Sequence, residues 1–420
     1  MFCSLRSLYC MKYALAVVVT GILSGIAGML LALLLHEVQH LAFGYSFDKV
    51  ISPISFLEGV TDAHASRRFI VLLAAGLVAA VGWGLLNRYG AKRVSISAAV
   101  GDNRPMPVLT TSVHVILQIV TVAMGSPLGR EVAPREAGAL TAGLFSRYLQ
   151  LKPEDVKIMI ASGAGAGFAA VYNVPLAGAI FTLEVLLVSC QWRAVIAAVI
   201  TSAIAAFVSS LGLGNETLYD FTHAGASNAL ILWAVLSAPL IGLAGFYFRQ
   251  ITQGTKSRAV PNLTLPVFCL LAFSLIGLLS IWFPQLPGNG KGPTQLSFDG
   301  ALGLQLAAIL LVLKLVIILA ALRGGAEGGL LTPGLTMGAL MGTVLYALVG
   351  PFFPTLSTTD FALTGGAAFL SASMKMPLTT VVMLMEFTAM DHSLLVPVAL
   401  SACLAFAVTK LLEMSSPAKV

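Results

Sequence analysis

The sequence predicts an all-α, polytopic membrane protein that is internally duplicated and built from tilted and broken helices. Of its 420 residues, 58% are hydrophobic and only 10% are charged, whereas soluble domains contain about 25% charged residues. The length suits roughly ten or more membrane segments of about 20 residues each. This composition excludes an ordinary soluble enzyme, a disordered chain and a disulfide-rich secreted module. We therefore expect a multi-pass protein of the cell membrane, which in a bacterium is the inner membrane.

Apolar stretches recur along the whole chain, and glycine or proline interrupts many of them. The first stretch is too long for the core of a signal peptide and predicts a retained helix. Several others are too short to cross about 30 Å of hydrocarbon as straight helices. Broken helices are tolerated only where protein or water covers the freed backbone. The stretches lie at about 14–35, 69–86, 108–124, 156–170, 174–190, 193–212, 229–249, 266–283, 302–322, 334–350, 361–372, 377–389 and 394–412.

The net charge of +6 is small and is spread along the chain. Many of the cations lie at the ends of apolar stretches, where charges set membrane topology. The sequence has no basic run of the kind that follows a nucleic-acid backbone. We therefore expect the lipid bilayer, and not nucleic acid, as the surrounding partner.

Two halves of the chain resemble each other, and we place them at 1–250 and 251–420, with no soluble regulatory domain. Upstream of the main match, Gly129 and Pro134 in the first half are spaced like Gly328 and Pro333 in the second half. Duplicated halves with broken helices are typical of transporters whose binding site lies at the repeat interface. The main match consists of four pairs separated by 202 residues: Gly163 and Gly365, Pro175 and Pro377, Leu176 and Leu378, and Glu184 and Glu386. The duplicated glutamates favour a structural ion pair or an interfacial anchor.

The segment GSPLGREVAPREAGAL, residues 125–140, is the most informative part of the sequence. Its glycines and prolines predict a non-helical backbone, followed by a helix that opens near residue 137. A helix start carries about half a positive charge and suits an anion. Glu131 is an intramembrane carboxylate beside this site, which makes a functional role the first hypothesis. For Arg135 and Glu136 we favour an interfacial ion pair at a loop.

The matching break in the second half is GGAEGGLLTPGL, residues 324–335. If the repeats are inverted, it directs a second helix start toward the same place. Glu327 lies within the break and is equally compatible with a loop carboxylate and with a residue that couples protons to the anion. Thr332 offers a hydroxyl that either lines the anion site or caps the helix.

One motif points to a different class of protein. His36-Glu37-Val38-Gln39-His40 matches HExxH, which on a helix places two zinc ligands on one face with a general base between them. An intramembrane zinc protease needs a third ligand, and no aspartate in a later apolar segment is convincing. Polar residues at the water end of the first helix are the favoured interpretation, and stoichiometric zinc lost on His36→Ala would support the protease.

With GREVAP, NVPLAG and GGLLTP in place, the chain resembles the CLC family of chloride channels and anion/proton antiporters. The resemblance implies an inverted-repeat bundle in a homodimer with one pore per subunit, not an enzyme, and no cofactor or metal. GREVAP stands where the family has GREGP, which implies that Glu131 is the gating glutamate, with Glu327 as a further proton candidate. GGLLTP stands at the family's second anion-binding loop. The implied anion-binding residues are Gly129, Arg130, Val132, Ala133, Gly329, Leu330, Leu331 and Thr332.

The chain also departs from the family pattern. The family's GSGIP loop would fall near GAKRV at 90–94, which has neither serine nor proline. The inner proton-relaying carboxylate would follow Glu184, where this chain has Val185. GREVAPRE, Glu327 and Thr332 are more similar to the fluoride/proton antiporter branch. The resemblance thus implies an exchange of a halide for protons, in which fluoride is favoured over chloride as the transported anion. The alternative is a chloride channel.

Overall fold

The structure is a computed structural model that describes residues 2–46, 48–221, 225–258 and 264–415, with side chains from residue 8 onward. Regular structure in these ranges is helical, which confirms the predicted all-α class. The helices are α1 Phe2–Phe43, α2 Phe56–Asp62, α3 Ala65–Tyr89, α4 Ile96–Gly101, α5 Val108–Ala123, α6 Val132–Tyr148, α7 Pro153–Tyr172, α8 Pro175–Phe181, α9 Trp192–Leu213, α10 Asn228–Ser257, α11 Leu265–Trp282, α12 Lys291–Phe298, α13 Leu304–Arg323, α14 Leu331–Val349, α15 Thr358–Met374, α16 Pro377–Thr388 and α17 Leu395–Ser415.

Eight helices within the described ranges are long and apolar enough to cross a bilayer, namely α1, α3, α9, α10, α11, α13, α14 and α17. Three further apolar helices in these ranges are shorter, as the interrupted sequence stretches predicted. They are α5, α16, and α8 with the π-helical turn Thr182–Leu187 that continues it. At 1.5 Å per residue, the 16 residues of α5 span about 24 Å, less than the hydrocarbon core. The chain is a multi-pass membrane protein, as predicted.

The chain forms two compact units, each assembled from separate segments. The first comprises Met1–His36, Leu85–Val120 and Arg130–Thr217, and in it α7 packs against α6, α8 and α9. The second comprises Glu37–Gly84, Thr121–Gly129 and Leu218–Val420, and in it α15 packs against α10, α14 and α17. The repeat boundary that we placed at residue 250 stays a prediction.

The same pair of crossing helices occurs once in each unit. In the first unit, α6 and α7 touch where Gly138 meets Gly163, and a Cβ on either residue would collide with the other's carbonyl oxygen. In the second unit, α14 and α15 touch in the same manner where Gly338 meets Gly365. Small residues allow helix backbones to approach this closely. The repeated glycines of the sequence therefore correspond to a repeated helix crossing.

The repeated proline motifs also have a shared structural cause. Asn173 ends α7 in the left-handed conformation with φ 54°, and Lys375 ends α15 with φ 57°. Two residues later, Pro175 and Pro377 occupy the first position of α8 and α16. Proline is well suited to that position because its missing N–H has no intrahelical acceptor there. Each motif therefore stops one helix and starts the next.

Candidate functional site

The two glycine-rich breaks come together at Gly129 and Gly329, which both belong to the second unit. Gly129 N–H donates to the Gly329 carbonyl at 2.7 Å, and Gly329 N–H donates to the Gly129 carbonyl at 2.9 Å. This reciprocal pair is an isolated antiparallel bridge. The contact places the first residue of GREVAP beside GGLLTP, and the binding of an anion there stays a prediction.

Close packing explains why glycine also stands next to this contact. A Cβ on Gly328 would fall too close to the Leu128 side chain. Gly125, at the start of the same loop, has φ +104°, and its carbonyl accepts the Gly288 N–H at 2.9 Å. The loop that carries Gly129 is therefore fixed at both of its ends by backbone hydrogen bonds.

The helix α14 begins beside this bridge. Its cap residue is Leu330, whose side chain makes no capping hydrogen bond. Thr332 is the second residue of the helix and is fully buried, so it is not the cap residue. One turn later, the Thr336 hydroxyl donates to the Thr332 carbonyl at 2.9 Å and lies 2.9 Å from the Thr294 hydroxyl. The start of α14 is thus held rigidly against α12.

In the first unit, Glu131 lies at the start of α6 and is only 1% exposed. The Tyr172 hydroxyl at the end of α7 donates to Oε2 of Glu131 over 3.4 Å. The guanidinium carbon of Arg130 lies 5.0 Å from the centre of the Tyr172 ring. The carboxylate is therefore buried at a helix start, where its negative charge is stabilised.

The helix α6 begins at Val132, five residues earlier than we expected. The reason is that proline is tolerated in the first turn of a helix, and Pro134 occupies the third position. The expectation of a loop ion pair for Arg135 and Glu136 is therefore wrong in its placement. Both residues lie inside the helix, with the Arg135 guanidinium 4.3 Å from the centre of the Phe181 ring.

Glu327, our second proton candidate, lies in the loop that precedes α14. Its Oε2 is 3.0 Å from the ammonium of Lys256, whose side chain is 55% exposed. Glu327 itself is 19% exposed. This ion pair favours the interpretation of Glu327 as a loop carboxylate.

Lys314 is a residue that our sequence analysis missed. It is 1% exposed in the middle of α13, and its ammonium donates to the carbonyls of Leu286 at 2.9 Å and Gly288 at 2.6 Å. Because Gly288 also binds Gly125, Lys314 supports the loop that leads to Gly129. A lone charge within a long apolar stretch is the signal that would have identified it.

The HExxH segment lies on α1. His40 is 3% exposed and packs edge-on against Tyr45, with ring centres 4.7 Å apart. Within the described ranges, no group of three or more His, Cys, Asp or Glu side chains is arranged to hold a metal ion. The structure thus offers no support for the zinc protease alternative.

The chain is similar to known proteins over most of its length. A family model described as voltage gated chloride channel matches residues 70–410. The putative chloride channel protein ClcB-like of Ralstonia nicotianae is 28% identical over 350 residues, which cover 80% of each chain. The voltage-gated ClC-type chloride channel ClcB of Escherichia coli O9:H4 is 28% identical over 372 residues, which cover 86% of this chain and 88% of the relative.

Two solved structures share the fold over nearly the full length. A slow cyanobacterial Cl⁻/H⁺ antiporter aligns with a TM-score of 0.79 at 19% identity, covering 96% of this chain and 95% of the other. A CLC-type fluoride/proton antiporter aligns with a TM-score of 0.70 at 19% identity, covering 98% of this chain and 97% of the other. At this level of identity the likeness concerns the fold alone.

Proposed function

Because the chain belongs to the CLC family of voltage gated chloride channels, we propose that it exchanges a small inorganic anion for protons across the membrane. CLC-type anion transport follows from the family itself. The coupling of this transport to protons is our proposal. It rests on one observation, the burial of Glu131 at the start of a helix.

The proposed anion ligands begin with the bridged backbone. Gly129 and Gly329 hold two backbone breaks together, and α14 starts directly afterwards with the positive end of its dipole. Backbone groups at a helix start are suited to anions because they supply partial positive charge without a competing counter-ion. Within the second unit the proposed ligands are Gly129, Gly329, Leu330, Leu331 and Thr332; for Arg130, Val132 and Ala133 the assignment rests on the GREVAP motif.

The proposed role of Glu131 follows from its charge. When ionised, its carboxylate is a tethered anion that competes with a halide for the positive end of a helix. When protonated, it loses this attraction and releases the site to the halide. One residue then exchanges a proton for an anion, and the Tyr172 hydroxyl donates a hydrogen bond to its carboxylate.

For the transported ion we propose fluoride before chloride, with a chloride channel as the second candidate. Fluoride is supported by GREVAPRE, by Thr332 and by the absence of serine from 90–94. The channel is supported by the name of the Escherichia coli relative. The decisive experiment is anion efflux from liposomes that contain the purified protein, with fluoride and chloride compared and internal pH recorded. Uphill proton movement on an anion gradient supports antiport, whereas anion efflux without it supports the channel.

We further propose that the protein is a homodimer, in keeping with the arrangement that the family resemblance implies. Native mass measurement and crosslinking in mild detergent test this proposal. A species of twice the chain mass is the expected result, and exclusively monomeric protein would contradict it.

A further inference from the structure

A buried polar cluster in the first unit has no role in the function proposed so far. His114 lies on α5 and is 3% exposed, and Gln118 lies one turn later on the same helix and is 1% exposed. Both face Glu136 of α6, with Nε2 of His114 at 3.6 Å and Nε2 of Gln118 at 3.0 Å from Oε2 of the carboxylate. Arg93, in the segment before α4, contacts both ring nitrogens of His114.

The imidazole ring of His114 lies close both to a hydrogen-bond donor, Arg93, and to a carboxylate, Glu136. Nη1 of Arg93 lies 3.2 Å from Nδ1 and 3.0 Å from Nε2 of the imidazole. Arginine can only donate hydrogen bonds, whereas an ionised carboxylate can only accept them. Either ring nitrogen of the neutral imidazole can accept from Arg93, and the other nitrogen then carries the ring proton. The Glu136 carboxylate lies 3.6 Å from Nε2, just beyond a direct hydrogen bond, so a small movement of either side chain would let the imidazole exchange a proton with it.

Glu136 also connects this cluster to the gate. It lies five residues after Glu131 in the chain, a separation of about 7.5 Å along the axis of α6. Arg135 lies between them and interacts electrostatically with both carboxylates. Five residues also turn the helix by about 140°, so a proton passing between the two carboxylates would follow water around α6.

We propose that His114 and Glu136 relay the proton to and from Glu131, in the place of the inner carboxylate that the family has where this chain has Val185. The inference rests on the proposed proton-coupled function and names the route within it. In one transfer, Arg93 moves aside, Nδ1 of His114 takes a proton from water, and Nε2 moves within hydrogen-bonding distance of Glu136 and gives its own proton to Oε2. Glu136 then passes a proton through water to Glu131 and is ionised again, while water removes the proton from Nδ1 and returns one to Nε2. No electron transfer or further reactant is involved.

The test is uphill proton movement driven by an anion gradient in liposomes, measured together with anion efflux. In His114→Gln and Glu136→Gln proteins, we expect the number of protons moved per anion to fall about tenfold or more, because losing a positioned proton carrier costs about 10²–10⁴ in other proton transfers. Anion efflux should stay within about twofold of the wild type. His40→Gln is the matched control, since His40 is equally buried and should leave the coupling ratio unchanged.

The outcomes separate the relay from the proposed antiport. A wild-type protein that moves anions without protons overturns the antiport, whereas a coupled wild type with equally coupled His114→Gln and Glu136→Gln proteins overturns only the relay. A merely structural role of the cluster would lower stability and leave the ratio unchanged. If a glutamine variant is not monodisperse, His114→Asn and Glu136→Asp replace it: the relay predicts loss of coupling in the first and retention of coupling in the second.

Discussion

Gly138 and Gly163 bring the backbones of α6 and α7 into direct contact, and neither position has room for a methyl group. Glu131 begins the first of these helices and Tyr172 ends the second. The crossing therefore fixes the helices that carry the proposed gate and its hydrogen-bond donor.

We expect Gly138→Ala to destabilise the protein by about 1–3 kcal/mol, the usual cost of an overpacked core. In an uncrowded helix the same change stabilises by roughly 0.5–1 kcal/mol. Gly84→Ala in α3 is the matched control, because within the described part of the chain the added methyl group meets nothing closer than 4 Å beyond its chain neighbours and its own helix backbone. The measurement is the fraction of monodisperse protein that survives heating in detergent. Equal survival of the two variants would contradict the tight crossing.

Glu131→Gln should fold and should uncouple the two ions. The amide has nearly the shape of the carboxylic acid, and it neither binds nor releases a proton at neutral pH. Anion movement through Glu131→Gln liposomes should therefore no longer drive protons uphill. Vesicles that still pump protons would show that another residue makes the exchange, and Glu327 would be the next candidate.

Tyr172→Phe should keep the fold and alter the rate of anion movement. The phenyl ring preserves the packing on Phe168 and Arg130, and the change removes the hydroxyl that donates to Glu131. A hydrogen bond to a charged group contributes about 1.5–3 kcal/mol, and at 3.4 Å this one lies at the lower end, which corresponds to roughly a tenfold change in rate. Comparison of initial efflux rates measures it, and an unchanged rate would exclude the hydroxyl from the gating step.

Glu327→Gln should leave proton coupling unchanged. Its partner Lys256 is more than half exposed, and exposed ion pairs contribute about 0–1 kcal/mol because water screens them. The same proton-pumping measurement serves as the check. A clear fall in the number of protons moved per anion would restore Glu327 as a coupling residue.

Lys314→Met should destabilise the protein by about 1.5–3 kcal/mol, the range for hydrogen bonds to a charged group. Methionine fills a similar volume and leaves the carbonyls of Leu286 and Gly288 without this donor. Val312→Ala, on the exposed side of α13, is the control with little expected effect. Thermal survival of the two variants in detergent should differ clearly, and equal survival would contradict the bracing role of Lys314.

Proline and glycine made part of the fold predictable, because proline restricts the backbone locally and glycine permits turns that other residues rarely adopt. The helix starts at Pro175 and Pro377 follow from such local rules, whereas the crossings at Gly138 and Gly338 also depend on the facing glycines of α7 and α15. The start of α6 did not follow from these rules, because Pro134 is compatible with both a loop and a first helical turn. Local chemistry alone could not separate the two.

The contacts of buried polar side chains could not be predicted from the sequence. His114 and Glu136 are 22 residues apart in the chain and lie on different helices, so no spacing in the sequence pairs them. Lys314 is visible as a charge among apolar residues, yet its acceptors are backbone carbonyls, which every residue possesses. Partners of this kind are identified only when the fold brings them together.

The buried ammonium of Lys314 has a consequence for how the chain enters the membrane. A lysine at the centre of an inserting helix costs about 2.5–3.5 kcal/mol. Its two acceptors, Leu286 and Gly288, precede it in the chain and therefore leave the ribosome first. When α13 reaches the translocon, the carbonyls that solvate its charge have already been synthesised. The order of synthesis thus favours the insertion of a helix that would otherwise carry an unsolvated charge into lipid.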